Sequence, residues 1–392
     1  MPAIKIAYCC TDFLAPSSTF VRDLASGLHQ EGNEIHLFAR HMDPIGKKIA
    51  KDFMSFEDLS IQSQPSLLER IAIQSNTCIG GLSKIHSYQN WLQKKYERIA
   101  YPIISKTNPD IIYADYGTEG AALLALANRL KVPLVTHFHG YDLTFCLNSE
   151  RYRKRMTALA KSGHPIIVPS NHLKRLFRIA TGRSDATHVI PYEPNLSGLS
   201  SLSRERASRP TVVALGRLTG KKNPLALIES FRIVVKEIPD AVLEIVGDGP
   251  ERRIVEERIC DAGMQDRVVL HGALEHSSAL KILSKAWAFA QHSVTGLNGD
   301  QEGLPIAILE SLALKIPVVS TIHSGIPESV IDQTNGFLVN EHDYESMGRR
   351  LIEVLQQPDI FEESFQSAQL PRHPEGRIKA IDALMREHLG LS

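Results

Sequence analysis

The sequence predicts an α/β protein made of two doubly wound, Rossmann-like domains. Short β-branched runs alternate with helical patterns from end to end, the signature of βαβ units and parallel sheets. That alternation is interrupted once, across residues 194–210, by a stretch rich in Ser, Arg, Pro and Asn with no sustained apolar period. The length, 392 residues, is enough for two sizeable cores.

The first half opens on the apolar run from Ile4 to Cys10, read as a strand and stopped by Asp12. The next pattern, Thr19–Gln30, places Phe20, Val21, Leu24 and Leu28 on one helical face, and Gly32 ends it. Strands follow at 35–39, 111–114, 134–138 and 166–169. The second half repeats the scheme with strands at 212–215, 242–246, 268–270, 286–291, 318–320 and 337–339. We therefore expect an N-terminal domain over 1–193, a linker over 194–210 and a C-terminal domain over 211–374. Beyond Pro371 and Pro374 a last helical pattern, Ile378, Ile381, Leu384, Met385 and Leu389, occupies about 375–392. Periodicity does not say where it docks.

Composition narrows the function. The 44 basic and 44 acidic side chains cancel, and hydrophobic residues at 43% with charged residues at 22% exclude disorder, collagen and coiled coil. No apolar run approaches a membrane span and the start lacks a signal-peptide pattern, so the expectation is a cytoplasmic protein. Five cysteines without a C-x-x-C pair indicate free thiols rather than a disulfide framework or a zinc knuckle. Residues 1–200 hold 23 basic against 17 acidic side chains, a balance of +6 that leaves −6 for the remainder. That difference is too diffuse for a nucleic-acid site.

Three segments at strand ends carry candidate chemistry. In the run from Gly299 to Glu310, Gly303 permits close backbone approach and Pro305 suits a helix start. Such a helix mouth offers free N–H groups to an anion, while Glu302 and Glu310 offer two acceptors to hydroxyl donors. An acidic first turn that merely complements the dipole is the alternative. In the run from Gly216 to Pro224, Arg217 and Lys222 lie where open α/β sheets bind ligands, and together they suit a diphosphate. This is no P-loop, because three residues rather than four separate Gly216 and Gly220. A basic turn in solvent is the plain reading.

The third segment is Thr136 to Asp142. Its two histidines, His137 and His139, are expected on opposite sides of a strand, which argues against shared metal ligation, and His139 is the one chosen to face the crevice. Ser17, Ser18 and Thr19 cap the first helix and are available to a substrate, as are Tyr141 and Asp142. No G-x-G-x-x-G follows the first strand, so a nicotinamide or flavin dinucleotide is not expected. No Asp-x-Asp occurs either, so no metal clamp has a candidate.

These residues resemble the retaining family-four glycosyltransferases of the two-Rossmann-domain kind, the GT-B fold, over nearly the whole chain. The resemblance rests on Glu302 and Glu310 with Gly303-Leu304-Pro305, on Gly216-Arg217-Leu218 and Lys222-Asn223, on His137 to Asp142, on Gly247-Asp248-Gly249-Pro250 and on Ser324-Gly325-Ile326-Pro327-Glu328. It is closest in kind to members that make bacterial exopolysaccharide. It implies two domains facing a cleft, with the last helix crossing back to the N-terminal domain. It also implies that Gly216, Arg217 and Lys222 hold the donor diphosphate, Glu310 the ribose and Glu302 the transferred sugar. His139 would lie by the sugar 6-hydroxyl, with backbone amides of Gly303 and Leu304 and the helix start at Pro305 helping at the phosphate or sugar. Where many members have Gly-Gly after the first strand, this chain has Pro16-Ser17-Ser18.

The resulting expectation is a retaining hexosyltransferase with UDP-glucose as donor, one that needs no metal or other cofactor and acts on a glycan or lipid-linked glycan. It would work in the cytoplasm, in peripheral contact with the inner membrane and without nucleic acid. A nucleotide-sugar 2-epimerase of the same fold and a non-catalytic two-domain sugar binder are the alternatives.

Overall fold

The computed structural model describes residues 2–12, 19–41, 55–58, 98–194, 204–359 and 372–391. Two parallel sheets organise them. The first has strand order β3-β2-β1-β4-β5-β6-β7: β1 Lys5–Asp12, β2 Glu34–His41, β3 Ser55–Asp58, β4 Ile111–Asp115, β5 Leu134–His137, β6 Ile166–Val168 and β7 Thr187–Val189. The second has order β10-β9-β8-β11-β12-β13: β8 Thr211–Leu215, β9 Val242–Val246, β10 Val268–Gly272, β11 Ala288–Gln291, β12 Val318–Thr321 and β13 Gly336–Val339.

Helices cover both faces of each sheet, so the central strands are apolar throughout rather than alternating, as in the wholly buried Ile111–Asp115. The two outer strands, β3 and β7, escape sequence reading for opposite reasons. Ser55–Asp58 is polar, and Thr187–Val189 is too short to show a period.

Each strand order reverses once, between β1 and β4 and between β8 and β11. Loops leaving the strands at such a reversal diverge and open a crevice at the carboxyl ends. This places the segments after β8 and β11 beside one another, across from those after β4 and β5.

Helix α1 (Thr19–Gln30) ends before Gly32, whose φ of +90° suits a residue without Cβ. The last helix, here α10 (Arg377–His388), crosses back onto α1. Ala380, Ile381, Leu384 and Met385 join Leu24 and Leu28 in one apolar cluster, and a Cβ at Gly27 would meet Ile378 at 2.2 Å. Arg386 fastens the far end by donating to the Pro2 carbonyl at 2.8 Å and to Asn33 Oδ1 at 3.0 Å. A helix of this length is marginal alone. Burying several large apolar side chains, each worth about 1.5–3 kcal/mol, is what makes it form.

Candidate active site

The cationic side is a turn held backbone to backbone. The Gly216 N–H donates to Val246 O at 2.9 Å and the Leu218 N–H to Asp248 O at 3.0 Å. Cβ atoms at Gly247 and Gly249 would lie 2.0 Å from Gly216 O and 2.3 Å from Leu218 O, which is why this partner segment carries glycines. The turn leaves Arg217 exposed and folds Lys222, at the end of a short 3₁₀ turn before helix α5 (Pro224–Glu237), against Gly216.

Lys222 and Glu302, far apart in sequence, form an ion pair of 3.2 Å with side chains only 18% and 10% exposed. Burial pushes the Glu302 carboxyl up, but Lys222 and Lys221 outweigh it and hold it below the usual carboxylate range. Burial also lowers the Lys222 ammonium, against the opposing pull of Glu302. Lys221 pairs with Asp300 at 3.2 Å and donates to the Gln301 carbonyl at 3.3 Å. Nothing in the sequence sets Lys221 apart from a basic turn in solvent.

Glu302 lies just before helix α8 (Ile306–Ala313), for which Pro305 is the N-cap rather than a first-turn residue, and no side chain caps the helix mouth. Leu304 packs with Tyr192, Leu309 and Phe20 in a small apolar cluster between the domains. Glu310, buried in the second turn, stands 2.6 Å from His276 Nε2, at the start of α7 (His276–Leu283). The Glu310 hydrogen bond raises the His276 pKa, with burial opposing it.

On the other side of the cleft, β5 stops at His137, and Gly140, with φ +125°, turns the chain. The expectation of opposite sides is wrong, because residues two apart in extended chain fall on one face. The rings of His137 and His139 are 4.5 Å apart, on the same side. His139 Nε2 contacts Asp115 Oδ1, and its Nδ1 contacts the Tyr192 hydroxyl. Tyr8 donates to the second Asp115 oxygen at 2.7 Å. Both ring nitrogens of His139 are thus engaged within the protein, and contact with a sugar hydroxyl requires one of them to be released.

His137 is buried, with Nδ1 2.6 Å from the Tyr113 hydroxyl and Nε2 without a partner; burial, then the neighbouring His139 and Arg377, push its pKa well down. Among the described residues, Asp115, His137 and His139 are close enough to share a cation, their ligand atoms lying within 4.8 Å of one another. The hydrogen bonds just described already occupy the Asp115 and His139 atoms.

Asp142, expected on the acceptor side, is instead a wholly buried scaffold residue. Its carboxylate accepts from the backbone N–H groups of Gly117 at 2.7 Å, His139 at 3.0 Å and Gly140 at 2.9 Å. Wholly buried and occupied by three backbone donors, it is out of a substrate's reach. Tyr141 is 44% exposed and stacks on Phe145 with ring centres 4.9 Å apart. Thr19 opens α1, while Ser17 and Ser18 lie outside the described residues.

The family model for Glycosyltransferase Family 4 matches residues 17–192, and that for Glycosyl transferases group 1 matches residues 202–369. The chain belongs to the family-four glycosyltransferases. Its relatives include the colanic acid biosynthesis glycosyltransferase candidate WcaL of Escherichia coli K12, 25% identical over 89% of this chain and 90% of that protein. The amylovoran biosynthesis glycosyltransferase AmsK of Erwinia amylovora is 30% identical over 63% of this chain and 61% of its own. Among solved structures, Anabaena HepE in complex with UDP and glucose superposes with a TM-score of 0.71 at 17% identity, covering 98% of this chain and 99% of that one. Sucrose-phosphate synthase from Thermosynechococcus elongatus gives 0.70, also at 17% identity, over 98% and 100%. These two likenesses establish the GT-B fold.

In this glycosyltransferase the two domains meet through glycines. A Cβ on Gly303 would lie 2.2 Å from the His139 carbonyl oxygen, and one on Gly140 2.8 Å from the Gly303 nitrogen. Beside that contact Glu328 reaches across to the start of helix α4 (Asn171–Thr181). It accepts from the N–H groups of Asn171 and His172, each at 2.8 Å. A carboxylate from one domain thus caps a helix of the other. Asp115 and Tyr192, missed by sequence reading, sit at or just past strand ends, where ligand-edge residues are expected. His276 gives no such signal, because only the fold brings it to Glu310.

Proposed function

We propose that the chain transfers a hexose, glucose in the first instance, from a UDP-sugar to an acceptor hydroxyl with retention of anomeric configuration, in exopolysaccharide or other cell-envelope glycan synthesis. The observation that carries the reading is the crevice beside the β8/β11 reversal. There Arg217 and Lys222 line one cavity, Lys222 pairs with Glu302 at 3.2 Å, and the mouth of α8, just after Glu302, has no side-chain cap.

In the reaction the bond between the anomeric carbon and the diphosphate oxygen breaks, and the acceptor oxygen bonds to that carbon on the same face. The acceptor proton passes to a diphosphate oxygen. Negative charge develops on the leaving group, so fixed positive groups there contribute most. Arg217, Lys222 and the helix mouth supply that charge without a metal ion. Glu302 takes hydroxyls of the transferred sugar once Lys222 turns to the phosphate, and Glu310 takes the ribose hydroxyls. Relatives acting in colanic acid and amylovoran synthesis support the pathway, and HepE with bound UDP and glucose supports the donor.

The acceptor is a glycan or lipid-linked glycan, and the basic N-terminal half is the side that would meet an anionic inner leaflet from the cytoplasm. Each well-placed Lys or Arg contributes about 1 kcal/mol to such contact. Among the described residues, no helix is long and apolar enough to cross a membrane. Failure to pellet with anionic vesicles at low salt removes this part of the proposal.

Thermal stabilisation by UDP, GDP and ADP in the presence of chelator tests the donor. Ligand at a hundred times its dissociation constant adds about 2.7 kcal/mol. UDP alone is expected to give the shift. A shift with GDP alone moves the donor toward that of the GDP-mannose-dependent mannosyltransferase of Mycolicibacterium smegmatis, a relative 27% identical over 57% of this chain and 61% of its own. No shift with any nucleotide refutes the diphosphate site.

A further inference from the structure

We propose that His323 is a positioning residue that fixes the backbone of Glu302 at the donor crevice. Glu302 sits at the end of a loop beginning near Thr295, and its own segment is not part of a strand or helix. Its peptide groups are gripped from one side by two consecutive residues just past β12. The Glu302 N–H donates to His323 Nε2 at 3.1 Å, and the Ser324 hydroxyl donates to the Glu302 carbonyl. Ser324 has φ +50°, a left-handed conformation uncommon for a residue with a Cβ, so the grip is made at some conformational cost.

The first of these bonds sets the tautomer. Nε2 accepts, so the neutral ring carries its proton on Nδ1, which faces Glu341 Oε1 at 2.6 Å. The His323 side chain is 1% exposed, which leaves water little part in holding it. The other Glu341 oxygen accepts the Thr295 N–H at 2.8 Å. One carboxylate therefore ties both ends of the 295–302 loop, directly at Thr295 and through His323 at Glu302.

The outer part of the loop touches the other domain. Asn148 donates to the Asn298 carbonyl at 2.8 Å, and the Gln301 N–H donates to Thr144 Oγ1 at 3.2 Å. Contacts across the cleft act on the loop, while the base clamp keeps Glu302 facing Lys222. This gives the His323-Ser324 pair, whose second member opens the Ser324 to Glu328 motif, a task that neither donor charge nor acceptor contact explains.

The inference rests on Glu302 meeting the transferred sugar, and the experiment separates the two. Turnover is read as UDP release from UDP-glucose without acceptor, and UDP affinity by thermal shift, for Glu302→Gln, His323→Ala, His323→Gln and the wild type. His323→Ala is expected to lower turnover on the order of a hundredfold through misplacement of Glu302. UDP affinity should stay within about threefold, because Arg217 and Lys222 are untouched. His323→Gln keeps an acceptor oxygen near the Nε2 position and should recover turnover to within roughly tenfold of wild type.

His323→Ala with near wild-type turnover overturns the inference, as does a glutamine variant no better than alanine. If Glu302→Gln loses turnover while His323→Ala keeps it, only the positioning role falls. If Glu302→Gln itself turns over normally, the sugar-binding reading of Glu302 falls with it.

Discussion

Replacing Lys222 with methionine keeps much of the side-chain stem and removes the charge, and its effects on stability and on turnover separate. In the folded protein Nζ lies 3.2 Å from Glu302 Oε1, with the two side chains 18% and 10% exposed. Removing one partner of a fully buried pair costs about 3–5 kcal/mol. Here some water reaches both groups and Lys221 also acts on Glu302, so about 2 kcal/mol is the working figure. For a domain of ordinary size that lowers the melting temperature by roughly 4–8 °C. Glu302→Gln added to Lys222→Met removes the stranded carboxylate and should return most of the loss. Turnover should stay down on the order of a hundredfold in both variants, since neither restores positive charge at the leaving group.

The pH dependence has a definite sign. Glu302 titrates below its unfolded value, so its stabilisation is present above about pH 4.3 and is lost as pH falls through the folded pKa. Without Lys222 the acid transition moves to higher pH. Differential scanning calorimetry with UDP-release assays reads all of this. A double variant no more stable than the single one, or a single variant with wild-type turnover, refutes the reasoning.

Further predictions follow from the cleft. Gly303→Ala sets a Cβ against the His139 carbonyl, so the domains must separate locally; turnover should fall at least about tenfold while UDP affinity holds, as a titration would show. Glu328→Ala removes the cross-domain cap of α4, costing about 0.5–2 kcal/mol of closure, and small-angle scattering should show a more open apo form. His276 titrates above its unfolded value because of Glu310, near Asp23 and Arg22, so the stability it adds is complete below about pH 6.5 and is lost as pH rises through its folded pKa. The melting-temperature gap between wild type and His276→Asn should accordingly narrow from about pH 6 to pH 8.

The central strands were legible because parallel sheets are buried on both faces and write continuous apolar runs, as at Ile111–Asp115 and Val318–Thr321. The edge strands β3 and β7 were not, being polar or very short. The residues of the candidate crevice were visible as polar groups at strand ends, but their pairing was not. That Lys222 and Glu302 neutralise one another, or that His276 meets Glu310, depends on contacts distant in sequence. The histidine pair was misplaced because residues two apart in extended chain share a face rather than opposing one another, which is why the two rings lie 4.5 Å apart. Asp142 looked like a substrate contact because a buried carboxylate serving three backbone donors has no sequence signature.

The central claim is that donor cleavage occurs at the Arg217–Lys222–Glu302 crevice, and UDP release from UDP-glucose in the presence of chelator measures it most directly. Release by the wild type, little from GDP-mannose, and a rate lower on the order of a hundredfold for Lys222→Met are expected. No release from UDP-glucose, or equal rates for wild type and Lys222→Met, would contradict it.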